Sequence, residues 1–237
     1  YILSYFVYNV VMTNIDINSK VVDTFISTYK KDPMDVMFTP YRICPLGAHV
    51  DHNLGVINGF AIAKGIRIDY GPKSNGVIEI SSLQFNKRAQ WHIYNTPNEK
   101  QNDWADHLRG ATIALNDRYP LRTGLIGVID GELPIGGLAS SAAIIICFLS
   151  ALCKLNNITL SNTELISLAK LTENEYVGVA CGKLDQSCLV LSKEDHLLYL
   201  DTKDDSYELI KTPTNMKPYV FMIFFSGLER SLVSSKY

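Results

Sequence analysis

The sequence has no long basic run, no internal repeat, no low-complexity linker and no Cys-x-x-Cys pair. Each absence removes a class of function. With a formal net charge of −2 and no clustered basic face, the chain lacks the electrostatic footprint of a nucleic-acid binder. Its most apolar helical stretch, around residues 142–152, is too short to cross a bilayer. Residues 1–12 are apolar and aromatic, without the basic start and small-residue cleavage site of a secretory signal; the chain does not begin with Met, so preceding residues are expected. The five cysteines, Cys44, Cys147, Cys153, Cys181 and Cys188, are an odd set. Cys181 and Cys188 lie seven apart with no His close by in sequence, and the five read as reduced, mostly packed thiols of a cytoplasmic protein, not as a zinc site or a disulfide frame.

What is present is an ordinary globular balance. Hydrophobic residues make up 47% of the 237 residues, enough apolar surface for one large core or two small ones. Val21, Val22, Phe25 and Ile26 recur at helical spacing and predict a helix over 18–29. Strands are predicted at 66–70, 77–83, 90–94 and 125–129, with Gly71-Pro72 and Ser74-Asn75-Gly76 as turn signals between the first two. A helix is predicted over 104–115. Another, over 140–155, follows a glycine pair and stays apolar for three turns. A third covers 161–176, with Ser161 as N-cap and Glu164 at the third helical position, the pattern of a capping box. Residues 197–200 and 220–225 predict further strands, the latter fully buried. Strands, then helices, then strands indicate an α+β domain. The end at Ser234-Ser235-Lys236-Tyr237, soon after a buried strand, predicts a chain cut short.

Three segments concentrate chemistry. Leu133-Pro134-Ile135-Gly136-Gly137-Leu138-Ala139-Ser140-Ser141-Ala142-Ala143 joins a predicted strand to a predicted helix. Glycines admit positive φ and let a ligand approach the backbone. A helix N-terminus adds unpaired N–H groups and partial positive charge, so the two together cradle phosphate. The serine hydroxyls add donors or ligate Mg2+. No Gly-Lys-Ser/Thr ending follows, which excludes a Walker-type loop. Taken alone, the stretch reads as a helix start with a tight turn and two capping serines. The second segment, Thr172-Glu173-Asn174-Glu175-Tyr176-Val177-Gly178-Val179-Ala180-Cys181-Gly182-Lys183-Leu184-Asp185-Gln186, carries Glu173 and Asp185. Phosphoryl transfer needs such groups as metal ligand and as neighbour of the attacking hydroxyl. Taken alone, they are a solvated helix end and a loop acid. The third segment crowds Arg42, His49, Asp51, His52 and Asn53 among Pro40, Pro45, Gly47 and Gly55. Donors and acceptors fixed on a rigid loop suit a polyhydroxyl ligand. His49 and Asp51, with no third ligand placed by spacing, are too few for a metal site. The alternative is a polar loop with structural prolines.

In this order and spacing the segments resemble those of the GHMP small-molecule kinases, galactokinases most. The galactokinase pattern P-G-R-x-N-L-I-G-E-H-x-D-Y-N-x-G matches residues 40–55, and P-x-G-x-G-L-S-S-S-A matches residues 134–142, one residue shorter here. The pattern A-E-x-x-x-x-G-x-x-x-G-x-M-D-Q matches residues 172–186, and W-x-x-Y-x-x-G matches 104–110 with His107 in place of Tyr. The resemblance runs from residue 40 to 237. Within it, residues 41–49 and Ser226-Gly227-Leu228 look most like galacturonokinases. The resemblance implies a GHMP-kinase N-terminal domain over 1–237, an α+β two-layer fold with a ribosomal-protein-like βαβ unit, truncated at the start of a C-terminal half whose Gly-rich third motif is absent. An incomplete enzyme with an exposed apolar surface is then expected of these residues alone. It also implies ATP and Mg2+ as cofactors and a small-molecule sugar as partner, with no nucleic acid and no membrane.

Site residues follow from the same resemblance. Asp185 sits beside the anomeric hydroxyl as base or orienting group, paired with Arg42. Glu173 and Ser141 hold Mg2+, and Gly136, Gly137, Leu138, Ser140 and Ser141 hold the phosphates. Trp104 lies by the adenine. His49, Asp51, Gly182 and Tyr237 contact the sugar. The departures are Tyr41, Cys44 and Ala48 for Gly, Asn and Glu, and His52 for Tyr. The missing Glu accepts a hydrogen bond from the sugar's C6 hydroxyl in galactokinases. Against a C6 carboxylate it would cost roughly 4 kcal/mol, for like charges ~4 Å apart at an effective dielectric near ~20. Ala48 removes that repulsion, so galacturonic acid is the expected substrate, with Tyr41 and His52 as candidate donors to its carboxylate. A catalytically silent sugar and ATP sensor, and a kinase for another small alcohol, are the rival readings; intact Arg42, Glu173 and Asp185 speak against the first, His49 and Asp51 against the second.

Overall fold

The computed structural model describes residues 19–133, 136–217 and 221–224, and an 18-residue strand organises it. The strands are β1 (Asp35–Ile43), β2 (Val56–Lys73), β3 (Val77–Ser82), β4 (Lys87–His92), β5 (Gly124–Gly131), β6 (His196–Asp201) and β7 (Tyr207–Lys211). They form a seven-stranded sheet in the order β4-β3-β5-β2-β6-β7, with β1 paired to β2. Residues 56–59 of β2 pair with β6, residues 60–70 with β1 and residues 66–73 with β5. One strand thus serves three partners. The sequence marks only residues 66–70, where all but Arg67 are buried. Gly71-Pro72 does not turn the chain as expected. The β1 ladder ends at Asp35 opposite Tyr70, so Pro72, which has no N–H, lies past that partner and forfeits no bond to it. The reversal falls at the second signal, where Gly76 takes φ +71°.

The helices are α1 (Ser19–Tyr29), α2 (Asp106–Arg118), α3 (Ser140–Leu155), α4 (Asn162–Leu171) and α5 (Leu184–Leu191). β5 shows why they pack as they do. Its Leu125 and Ile129 join the core with α2, α3 and α4, while Ile126 and Val128 pack against Val21 and Phe25 of α1. Both faces are covered, so β5 reads as a continuous apolar run. Each such fully buried side chain contributes about 1.5–3 kcal/mol. α5 lays Leu184, Cys188 and Leu191 on Ile57, Leu198 and Leu200. All five cysteines are free. Burial pushes the thiols of Cys147, Cys153, Cys181 and Cys188 up to about 12, which leaves them inert.

Several expectations change. The helix predicted from residue 104 starts at Asp106, leaving Trp104 in the loop before it. The Ser161–Glu164 capping box is present, but α4 does not reach residue 176; at Thr172 it passes into a π-helical turn, Thr172–Val177. The strand predicted over 220–225 is not seen at 221–224: Phe221, Met222, Ile223 and Phe224 are exposed, and no strand among the described residues pairs with them. Phe221 packs its ring on Phe60 of β2, with centroids 4.9 Å apart. Tyr237 and Ser226-Gly227-Leu228 lie outside the described residues. No helix of the described residues is long and apolar enough to cross a membrane.

Candidate active site

The site begins where β1 ends. Its register against β2 shifts between Pro40 and Arg42, and Gly65 lets β2 come so close that a methyl group there would overlap the Thr39 carbonyl. Such an irregularity re-aims the residues beyond it. Tyr41 turns into the core, where it is 2% exposed, and burial raises its hydroxyl to about 12. It is therefore not available as a donor to a sugar carboxylate, and His52 is left as the candidate. Arg42 reaches the other way. Its Nε and Nη2 donate to Asp185 Oδ1 at 2.9 and 2.7 Å, and its Nη1 donates to the Gly137 carbonyl at 2.8 Å. Its backbone N–H donates to the Leu138 carbonyl at 3.3 Å. One residue thus ties the glycine-rich loop to an acid 143 positions away.

Asp185 stands in the first turn of α5, with its side chain 30% exposed against 13% for Arg42. Its other oxygen, Oδ2, is not bonded by Arg42. Asp51 starts a short 3-10 turn, Asp51–Asn53, and its Oδ2 accepts the Leu184 N–H at 3.0 Å. Gly182 is required by this contact: a methyl group there would overlap the Asp51 carboxylate. The Asp51 Oδ1 faces His52 Nδ1 at 3.5 Å. Ala48 and His49 are exposed on the same turn-rich segment.

Glu173 lies in the π-helical turn, a distortion that recurs at functional sites. Its side chain is buried and accepts hydrogen bonds from Ser141, Gln186 and Cys181. Burial pushes its carboxyl up; the Ser141 bond opposes this, the Asp185 charge adds to it, and Gln186 and Cys181 oppose it. Gln186 was unassigned in the sequence reading, and its Oε1 has no partner among the described residues. A hydroxyl and a carboxylate side by side are hard oxygen donors that fit Mg2+. No group of three His, Cys, Asp or Glu among the described residues forms a complete metal site. Mg2+ characteristically completes its shell with phosphate and water.

The glycine-rich loop leaves its backbone open. Gly137 takes φ +69° and Ala139 φ +62°, and a methyl group on Gly136 or Gly137 would meet nothing within 4 Å among the described residues. α3 begins at Ser140 with no side-chain cap, so its first N–H groups stay open to the loop. Leu138 is buried and serves through its carbonyl. Trp104 is stacked on Phe85, with centroids 6.0 Å apart. Its loop is fixed by Arg109, which pairs with Asp103 at 2.7 Å and Asp106 at 2.8 Å, and by Tyr176, whose hydroxyl donates to the Pro97 carbonyl at 2.8 Å. Phe85 carries no motif and could not be singled out from sequence.

A family model, the GHMP kinases N terminal domain, matches residues 106–193, which hold α3, Glu173 and Asp185. Residues 106–193 carry this domain. Among its relatives is a galacturonokinase of Arabidopsis thaliana, 34% identical over 224 residues, covering 86% of this chain and 53% of that protein. A galactokinase of Thermococcus kodakarensis is 32% identical over 202 residues, covering 85% and 56%. The crystal structure of Lactococcus lactis galactokinase complexed with galactose superposes with a TM-score of 0.78 at 26% identity, covering 82% of this chain and 52% of that one. The chain spans about half the length of the relatives it matches.

Proposed function

We propose that this chain forms the ATP- and sugar-binding half of a sugar 1-kinase. The kinase transfers the γ-phosphoryl group of ATP to the anomeric hydroxyl of a galactose-type sugar. The observation that carries this reading is Arg42, whose one guanidinium holds both Asp185 and the Gly137 carbonyl. The acid and the phosphate loop are thereby kept in one geometry, which is the main task in phosphoryl transfer.

Each residue then has a part. The N–H groups around Gly136, Gly137, Ser140 and Ser141 receive the phosphates, with Leu138 anchoring Arg42. Trp104 and its neighbour Phe85 offer an aromatic face to adenine. His49, Asp51 and Gly182 line the sugar side, with Tyr237 assigned there by family resemblance. Asp185 orients the C1 hydroxyl through Oδ2 and takes its proton as the new O–P bond forms. The bond from the γ-phosphorus to the bridging oxygen breaks, and ADP leaves. Mg2+, when bound, offsets phosphate charge, and Ser141 and Glu173 are the side chains that would hold it. An ADP-release assay of the full-length protein against neutral sugars and uronic acids tests the reading. Turnover confined to non-sugar alcohols, or sugar binding without ADP release, would overturn it.

For the substrate we favour galacturonic acid over galactose. Exposed Ala48 supports this, since it leaves no carboxylate at its position in the sugar segment to repel a C6 carboxylate. The 34% identical relative from Arabidopsis thaliana bears the name galacturonokinase. The expected kcat/KM is higher for galacturonate, and Ala48→Glu should reverse the preference. A wild type that prefers galactose sinks the assignment.

A further inference from the structure

We infer that the turn between β6 and β7, residues 202–205, is a positioning element for the sugar side of the site, with Thr202 as its key residue. The inference rests on the reading of Asp51 as a sugar contact. Thr202 lies in a surface turn yet is 1% exposed. Its Oγ1 donates toward two carbonyls, Asp51 at 3.1 Å and Gly55 at 2.8 Å, and its N–H reaches the Gly55 carbonyl at 3.3 Å. Those carbonyls are the two ends of the turn that holds Asp51, His52 and Asn53. A single hydroxyl therefore closes that turn from below.

The other end of residues 202–205 is latched to α5. Asp205 pairs with Lys183, the residue before Leu184, whose N–H holds the Asp51 carboxylate. Three pieces are joined pairwise: the Asp51 turn, the start of α5 that carries Asp185, and the β6–β7 turn. The last is itself stiff. Asp205 N–H donates to the Asp201 carbonyl at 3.0 Å, Asp201 N–H to the Ser206 carbonyl at 2.9 Å, and Lys203 N–H to Asp201 Oδ1 at 2.9 Å. Asp201 is registered against Val56 on β2, so the turn is referenced to the sheet. The separation of Asp51 from Asp185, and hence where a sugar sits relative to the acid, is set by this frame. Neither Thr202 nor Asp205 belongs to any of the three chemistry-bearing segments.

Thr202→Val keeps the shape and removes the donor. In the full-length kinase it should raise the sugar KM roughly tenfold, with kcat and the ATP KM within about twofold, the pattern of lost uniform binding. Thr202→Ser should restore the wild-type value. Lys183→Met should raise the sugar KM by about twofold, an effect that fades at high salt as expected for an exposed pair. The inference is overturned if Thr202→Val leaves the sugar KM unchanged. It is also overturned if both KM values rise while kcat and melting temperature fall with them, or if Thr202→Ser fails to rescue. Asp51→Asn separates the two layers of the reading, because its amide oxygen still accepts the Leu184 N–H while the free oxygen becomes a donor. If Asp51→Asn weakens sugar binding and Thr202→Val does not, the positioning role alone is lost. If Asp51→Asn leaves sugar KM unchanged, Asp51 is no sugar contact and the inference goes with it.

Discussion

The glycine-rich loop and the acid cluster lie side by side and use glycine in opposite ways. At Gly137 the backbone has φ +69°, which side chains tolerate poorly, while no described residue comes within 4 Å of where a side chain would stand. At Gly182 the space is already filled by the Asp51 carboxylate. The first is a surface of open backbone groups. The second is a closed set of side chains that hold one another: Arg42 on Asp185, and Asp51 on the Leu184 N–H. Specific geometry is stored in the acid cluster before anything binds, and the loop contributes room and N–H donors.

The largest effect should come from the stored geometry. Asp185→Asn keeps the shape and removes the base, so kcat should fall by about 10²–10⁴-fold while both substrates still bind. Near-normal turnover would break the assignment. Gly182→Ala should follow, raising sugar KM on the order of a hundredfold by displacing Asp51, with ATP KM nearly unchanged. Gly137→Ala should do the converse. Forcing a side chain into the left-handed region costs roughly 1–2 kcal/mol, so about a tenfold rise in ATP KM is expected with sugar KM intact. Steady-state kinetics of the full-length enzyme against each substrate read both variants. If the two raise both KM values alike, the division between loop and cluster is wrong. Ser161→Ala lies outside both regions. It should lower stability by about 1 kcal/mol through loss of the α4 cap, seen as a lower melting temperature with unchanged kinetics.

Much of the local structure was legible in the chain. The capping box at Ser161 and Glu164, the buried helix from Ser140 and the glycine loop before it are each decided by residues within a turn or two of one another. The site was legible as three segments, and family resemblance paired Arg42 with Asp185. Three features were not. The π-helical turn at Glu173 carries Tyr176, which packs onto α2 where Gly110 leaves the room: a methyl group there would lie 2.7 Å from the Tyr176 Cβ. Tyr41 is a candidate donor as a departure from the galactokinase pattern, yet it is buried in the core while Arg42 reaches Asp185. Residues 221–224 looked like a buried strand because composition alone reports apolarity.

The sequence by itself determined which groups are present and the local conformations that propensity, capping and periodicity dictate over a few residues. Only the tertiary structure decided which groups meet. The 143-residue span from Arg42 to Asp185 is closed by the ladder of β1 on β2 and by α5 packed against Ile57, Leu198 and Leu200. That closure depends on register and on burial shared among distant elements, and no short stretch of sequence carries either.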